Sequence, residues 1–162
     1  MYNDVILLSH AIFMDLNSFF SVPVFDILFG SYEYLYILAS FVVAVLIWIE
    51  SALVAKNHGK LPQSSTFFAI ISLITSSWFI VSGAVLYFLD FDGVTISVPV
   101  VYGVYSVMSW IKGAKLMSHD LPDDPTDIVL PAKYLTYTQS FALVFAGLCG
   151  LFLVQPYLKS LI

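Results

Sequence analysis

Three long apolar stretches, residues 35–55, 66–89 and 134–158, dominate this chain. A helix rises about 1.5 Å per residue and the hydrocarbon core of a bilayer is roughly 30 Å thick, so about 20 apolar residues cross it once. A shorter apolar stretch, 94–111, lies between the second and third. These lengths predict an all-α integral membrane protein that folds in the lipid bilayer as a bundle of four transmembrane helices.

The composition supports the same class of protein. Hydrophobic residues make up 60% of the chain and charged residues only 10%. Charged residues account for about a quarter of an ordinary soluble domain. A soluble domain of this size could not bury so much apolar surface.

The N-terminal segment, residues 1–33, is apolar but carries aspartates that fall almost in line on a helical wheel, Asp4, Asp15 and Asp26. This amphipathic pattern is typical of an interfacial or re-entrant helix. A fifth span between residues 5 and 29 is the alternative. An aspartate at mid-span costs about 3 kcal/mol on insertion scales, and the many apolar residues offset it, so both alternatives remain. Residues 34–162 are predicted to form the transmembrane domain.

The lysines predict the orientation, and the chain has no arginine. Five of the six lie in or beside two alternate loops: Lys56, Lys60, Lys112, Lys115 and Lys133. By the positive-inside rule, loops 56–65 and 112–133 are cytoplasmic and the C-terminus is outside, in the plasma membrane (the bacterial or archaeal inner membrane). No basic patch is available to a nucleic acid, so nucleic-acid binding is excluded.

Glu50 is the only charge well inside one of the long spans. Carboxylates at such depths typically act as proton relays or ion ligands. It forms a candidate ion or proton site with three hydroxyl-bearing residues: Glu50, Ser72, Ser76 and Tyr105. In the alternative, structural reading, Glu50 reaches the membrane interface or pairs with Lys56 or Lys112.

Small residues recur every fourth position in the last span, at Ala142, Ala146 and Gly150. Such a seam lets helix backbones approach closely in lipid. The partner helix belongs either to the same chain or to another subunit.

The loop after the third span is acidic, with four carboxylates within eight residues: Asp120, Asp123, Asp124 and Asp127. Their spacing is not that of an EF-hand, and the glycine needed for its sharp turn is missing, so the pattern favours a solvated acidic loop or a docking loop. Asp124 and Pro125 also resemble a helix start, which predicts a short helix from Pro125 towards Leu130. No histidine lies in the four spans, and neither a metal nor a cofactor is expected.

The functional expectation follows from this sparse polar chemistry. Catalysis needs convergent polar groups in a pocket, and the spans offer few, so the chain is not expected to be an enzyme. We expect a small accessory or anchoring subunit of a larger membrane complex, or a homo-oligomer, acting through helix packing and loop docking. The alternative is a small proton or cation transporter or channel that uses Glu50.

Overall fold

The computed structural model describes residues 31–62, 65–91, 93–117 and 128–159, with side chains described as far as Gln155 in the last helix. These residues form four helices: α1 Tyr32–Lys56, α2 Thr66–Phe88, α3 Ser97–Met117 and α4 Ala132–Lys159. The described part of the chain contains no strand, so the predicted all-helical fold is confirmed. The chain divides after Leu35, and every contact discussed below lies within residues 36–162.

Three of the described helices are long and apolar enough to cross a membrane: Tyr32–Lys56, Thr66–Phe88 and Ala132–Gln155. They agree with three of the predicted spans and suggest a membrane location. Helix α3 is not among the three, because serines, tyrosines and two lysines, Lys112 and Lys115, lower its mean hydropathy. A fourth crossing by α3 therefore stays a prediction.

Helix α3 also has different limits from the apolar stretch 94–111. Residues 94–96 form a turn in which the Ser97 N–H bonds to the Val94 carbonyl at 3.1 Å, and the helix then runs to Met117. Pro99 lies in the first helical turn, where its missing N–H removes no intrahelical hydrogen bond. Apolar composition alone placed the start of this helix too early, because Val94 and Ile96 are apolar but lie in the turn that precedes it.

The core lies where α1, α3 and α4 meet, and Trp78, Phe79, Val81 and Val85 of α2 pack against it. Its most buried side chains are Ala44, Ile47, Val98, Tyr102, Phe145 and Cys149. In the small-residue seam, Ala142 is buried, Ala146 packs against the core, and a Cβ built on Gly150 would lie 3.9 Å from Phe41 of α1. The structure therefore places the seam against the chain's own helices.

Two loops on the same side of the bundle are joined by backbone pairing, which we call the loop clasp (residues 57–60 and 128–130). Lys60 and Val129 form an isolated antiparallel bridge, and the Leu130 N–H donates to the Gly59 carbonyl at 2.8 Å. The predicted helix from Pro125 to Leu130 is wrong at its described end, because this backbone pairs with the other loop. The four aspartates of the acidic loop and residues 1–30 lie outside the described residues.

Candidate functional site

Glu50 lies near the end of α1 and its side chain points to α2. Its Oε2 accepts a hydrogen bond of 2.8 Å from the Thr75 hydroxyl. The same hydroxyl lies 3.1 Å from the backbone carbonyl of Ser72, but a hydroxyl has only one proton to donate. Because hydrogen bonds to a charged acceptor are the stronger ones, a carboxylate is preferred over the Ser72 carbonyl as the acceptor of the Thr75 proton.

A cavity of about 250 Å³ opens beside this carboxylate between the four helices. It reaches from Thr75, near the middle of α2, and Tyr102, in the second turn of α3, to Leu61 and Leu130 in the loops. Its polar lining comes from all four helices: Glu50, Ser51, Thr75, Ser76, Tyr102, Tyr105, Ser106, Ser109, Tyr134 and Thr138. Among the described residues, no lysine or histidine lines it.

Several hydroxyl groups of the cavity already donate their proton within their own helix and can only accept a further hydrogen bond. Ser51, Ser106 and Thr138 each donate their single proton to a carbonyl of their own helix, at 3.0, 3.0 and 3.1 Å. A hydroxyl oxygen that has donated still has lone pairs to offer. Ser109 Oγ is buried and has no hydrogen-bond partner in the described part of the chain. The oxygens of Ser51, Ser106 and Thr138 and the Glu50 carboxylate are therefore acceptors, whereas the Ser109 hydroxyl can either donate or accept.

Aromatic rings form the other part of the wall. Tyr105 stacks on Phe141, with ring centroids 3.5 Å apart and planes 1° from parallel. Phe79 of α2 and Trp110 of α3 meet at 4.8 Å between centroids. The rings of Phe79, Tyr102, Tyr105, Trp110 and Tyr134 all line the cavity.

Lys112, one of the two lysines considered as a partner for Glu50, makes a different contact. Its Nζ lies 3.1 Å from the centroid of the Tyr137 ring, which is a cation–π geometry. Tyr137 in turn lies against Tyr105, with 6.0 Å between centroids. The Lys112 charge is thus held by the aromatic stack, and Thr75 is the hydrogen-bond partner of Glu50.

The opposite half of the bundle contains a second group of contacts between α1 and α2. We call these residues the aromatic plug (Tyr36, Ser40, Trp78 and Ser82). The Tyr36 and Ser82 hydroxyls are 2.8 Å apart, and Trp78 Nε1 donates to Ser40 Oγ at 3.2 Å. The Tyr36 and Trp78 rings stack with centroids 5.7 Å apart. Ser40 is 0% exposed. The polar groups of the plug therefore satisfy one another, whereas the buried Ser97 Oγ at the start of α3 has no hydrogen-bond partner among the described residues.

The structure brings three of the four predicted site residues together, since Glu50, Ser76 and Tyr105 line one cavity. Ser72 does not line it and contributes only a backbone carbonyl. Thr75, which holds the carboxylate, was missed. Its signal was its position, one turn of helix after Ser72 and beside Ser76. No group of three or more metal-ligating side chains occurs within the described ranges.

No protein-family model, curated protein or solved structure matches this chain. A function for it rests on the chemistry of the cavity beside Glu50.

Proposed function

We propose that this protein is a small transporter or channel that moves a proton or a small cation past Glu50. The observation that carries the proposal is the placement of a carboxylate in a cavity of acceptor oxygens that, among the described residues, holds no cationic side chain. A charge taken out of water needs a counter-charge or a proton. No described side chain of this cavity supplies the counter-charge, so a bound proton or cation has to supply it.

The proposed orientation follows the positive-inside rule. It puts the lysine-bearing loops in the cytoplasm of a bacterial or archaeal cell and the C-terminus outside, with α3 as the fourth crossing. The cavity then faces the cytoplasm, and the aromatic plug closes the outer half. This arrangement corresponds to an inward-facing state, and transport would require the Tyr36–Ser82 and Trp78–Ser40 contacts to open.

A subunit role is the second candidate, and one surface of α4 favours it. Leu143, Val144 and Leu151 are exposed around Gly147, where an added Cβ would meet nothing within 4 Å. A glycine notch between large apolar side chains lets another helix approach closely in lipid. The occupant would be a helix of another membrane subunit or of a second copy. Purification in a mild detergent as a monomer without a stoichiometric partner would refute this role.

The test of the transport proposal is flux through the purified full chain in liposomes that contain a pH-sensitive dye. Under an imposed proton or cation gradient, the wild-type protein should give flux above that of empty liposomes. Glu50→Gln should abolish this flux, because the amide keeps the shape of the side chain and removes its charge. Asp90→Asn is the matched control, since Asp90 is exposed in the turn between α2 and α3 and does not line the cavity.

Two results would contradict the proposal. One is a wild-type flux no greater than that of empty liposomes, with the protein shown to be folded. The other is a Glu50→Gln variant that conducts as well as the wild type. The folding of each variant is checked by its elution as a single species in detergent.

A further inference from the structure

The size of the cavity beside Glu50 restricts which cation it accepts. About 250 Å³ is the space of about eight water molecules, since each occupies about 30 Å³ in the liquid. A proton needs no such space. A bare divalent ion takes about six oxygen ligands at roughly 2.0 to 2.6 Å, several of them from carboxylates, and Glu50 is the only carboxylate that lines this cavity among the described residues.

The walls have the composition that recognises an organic cation. Ammonium groups bind over the faces of aromatic rings, and Trp and Tyr are the preferred rings for this contact. Three tyrosines, a tryptophan and two phenylalanines line the cavity together with one carboxylate: Tyr102, Tyr105, Tyr134, Trp110, Phe68 and Phe79. Outside the cavity, Tyr137, whose ring centroid lies 6.0 Å from that of Tyr105, already holds one ammonium group, that of Lys112.

From this combination we infer that the cavity binds a small organic ammonium ion, with the Glu50 carboxylate as counter-charge and the aromatic rings around the cationic head. The acceptor oxygens of Ser51, Ser106 and Ser109 then receive N–H or O–H groups of the ligand. The inference rests on the proposed function and names its substrate class.

The binding test uses choline as the probe and titration calorimetry on the purified full chain. A maltoside detergent with added phosphatidylglycerol keeps competing lipid ammonium groups out of the sample. The control ligand is 3,3-dimethylbutan-1-ol, which has the shape of choline without the charge. Choline should bind and the neutral alcohol should not. If the natural source of the ammonium is a lipid headgroup, added phosphatidylcholine should compete with choline; if it is a free solute, it should not.

Single substitutions test the carboxylate and the aromatic rings of the site separately. Glu50→Gln should weaken choline binding by about 10- to 100-fold, the range expected when a charged partner is lost. Trp110→Leu should weaken it by about 2- to 5-fold, as expected for the loss of one cation–π contact to a ring that is 60% exposed. The matched control is Trp48→Leu, because Trp48 is 45% exposed on α1, does not line the cavity and should leave binding unchanged.

The outcomes distinguish this inference from the proposed function. Equal binding of choline and the neutral alcohol, or unchanged binding in Glu50→Gln, would overturn the inference. Absence of choline binding together with Glu50-dependent proton flux would overturn it and leave the proposed function intact. Choline binding that needs Glu50, without flux of any cation in liposomes, would support the inference and refute the transport role.

Discussion

Replacing Gly59 by alanine should destabilise the protein, because the loop clasp needs a residue without a side chain at this position. Gly59 has a φ of 85°, and an added Cβ would lie 2.6 Å from the Leu130 carbonyl oxygen and 2.9 Å from Val129 Cγ1. A left-handed backbone costs an alanine about 1–2 kcal/mol. Displacing Leu130 also loses the 2.8 Å hydrogen bond to the Gly59 carbonyl, which contributes about 1 kcal/mol.

The two terms together predict a loss of about 2–3 kcal/mol in the free energy of unfolding. It can be measured by titrating detergent-solubilised protein with dodecyl sulfate and following helix content by circular dichroism. Gly83→Ala and Gly147→Ala are the matched controls, because both positions are helical with open space around the added Cβ. They should leave stability unchanged or raise it by up to about 1 kcal/mol. If Gly59→Ala unfolds with the controls, the clasp is not formed as described.

Two further predictions concern the half of the bundle that contains the aromatic plug. Trp78→Phe removes the N–H that donates to the buried Ser40 and should lower the free energy of unfolding by about 1–2 kcal/mol. Trp48→Phe, at an exposed site, should change it by less than about 0.5 kcal/mol. Equal effects of the two substitutions in the same titration would contradict the contacts of the aromatic plug. Cys149 is 0% exposed in the core, so a maleimide should label it only after unfolding in dodecyl sulfate, and rapid labelling of the native protein would refute its packing.

Hydropathy predicted the long helices because their length is imposed by the thickness of the bilayer. The direction in which each helix faces could not be predicted in the same way. In water, the buried face of a helix is apolar and the exposed face polar, but in lipid both faces are apolar. On α4 only the small-residue seam marked the packed face, and hydropathy did not distinguish the buried Phe145 from the exposed Val144.

Only the carboxylate of the candidate site could be predicted from the sequence, and its hydrogen-bond partner could not. A carboxylate within an apolar span is conspicuous, so Glu50 could be found from sequence alone. Its partner could not, because Thr75 is one of several hydroxyl-bearing residues along α2, and only the packing of α1 on α2 selects it. The clasp at Gly59 depends on a contact with Leu130, far along the chain, and no local pattern indicates it.

The account is tested most directly by the accessibility of position 50 from each side of the membrane. Glu50→Cys, in a Cys149→Ala background, is treated in oriented vesicles with a membrane-impermeant trimethylammonium thiosulfonate, and Trp48→Cys serves as the matched control. We predict that Glu50→Cys reacts from the cytoplasmic side only. Trp48→Cys should react much more slowly, because Trp48 does not line the cavity and its exposed surface would face lipid, which the charged reagent does not enter. Position 50 unreactive from both sides, or no faster than position 48, would contradict a cation cavity at Glu50.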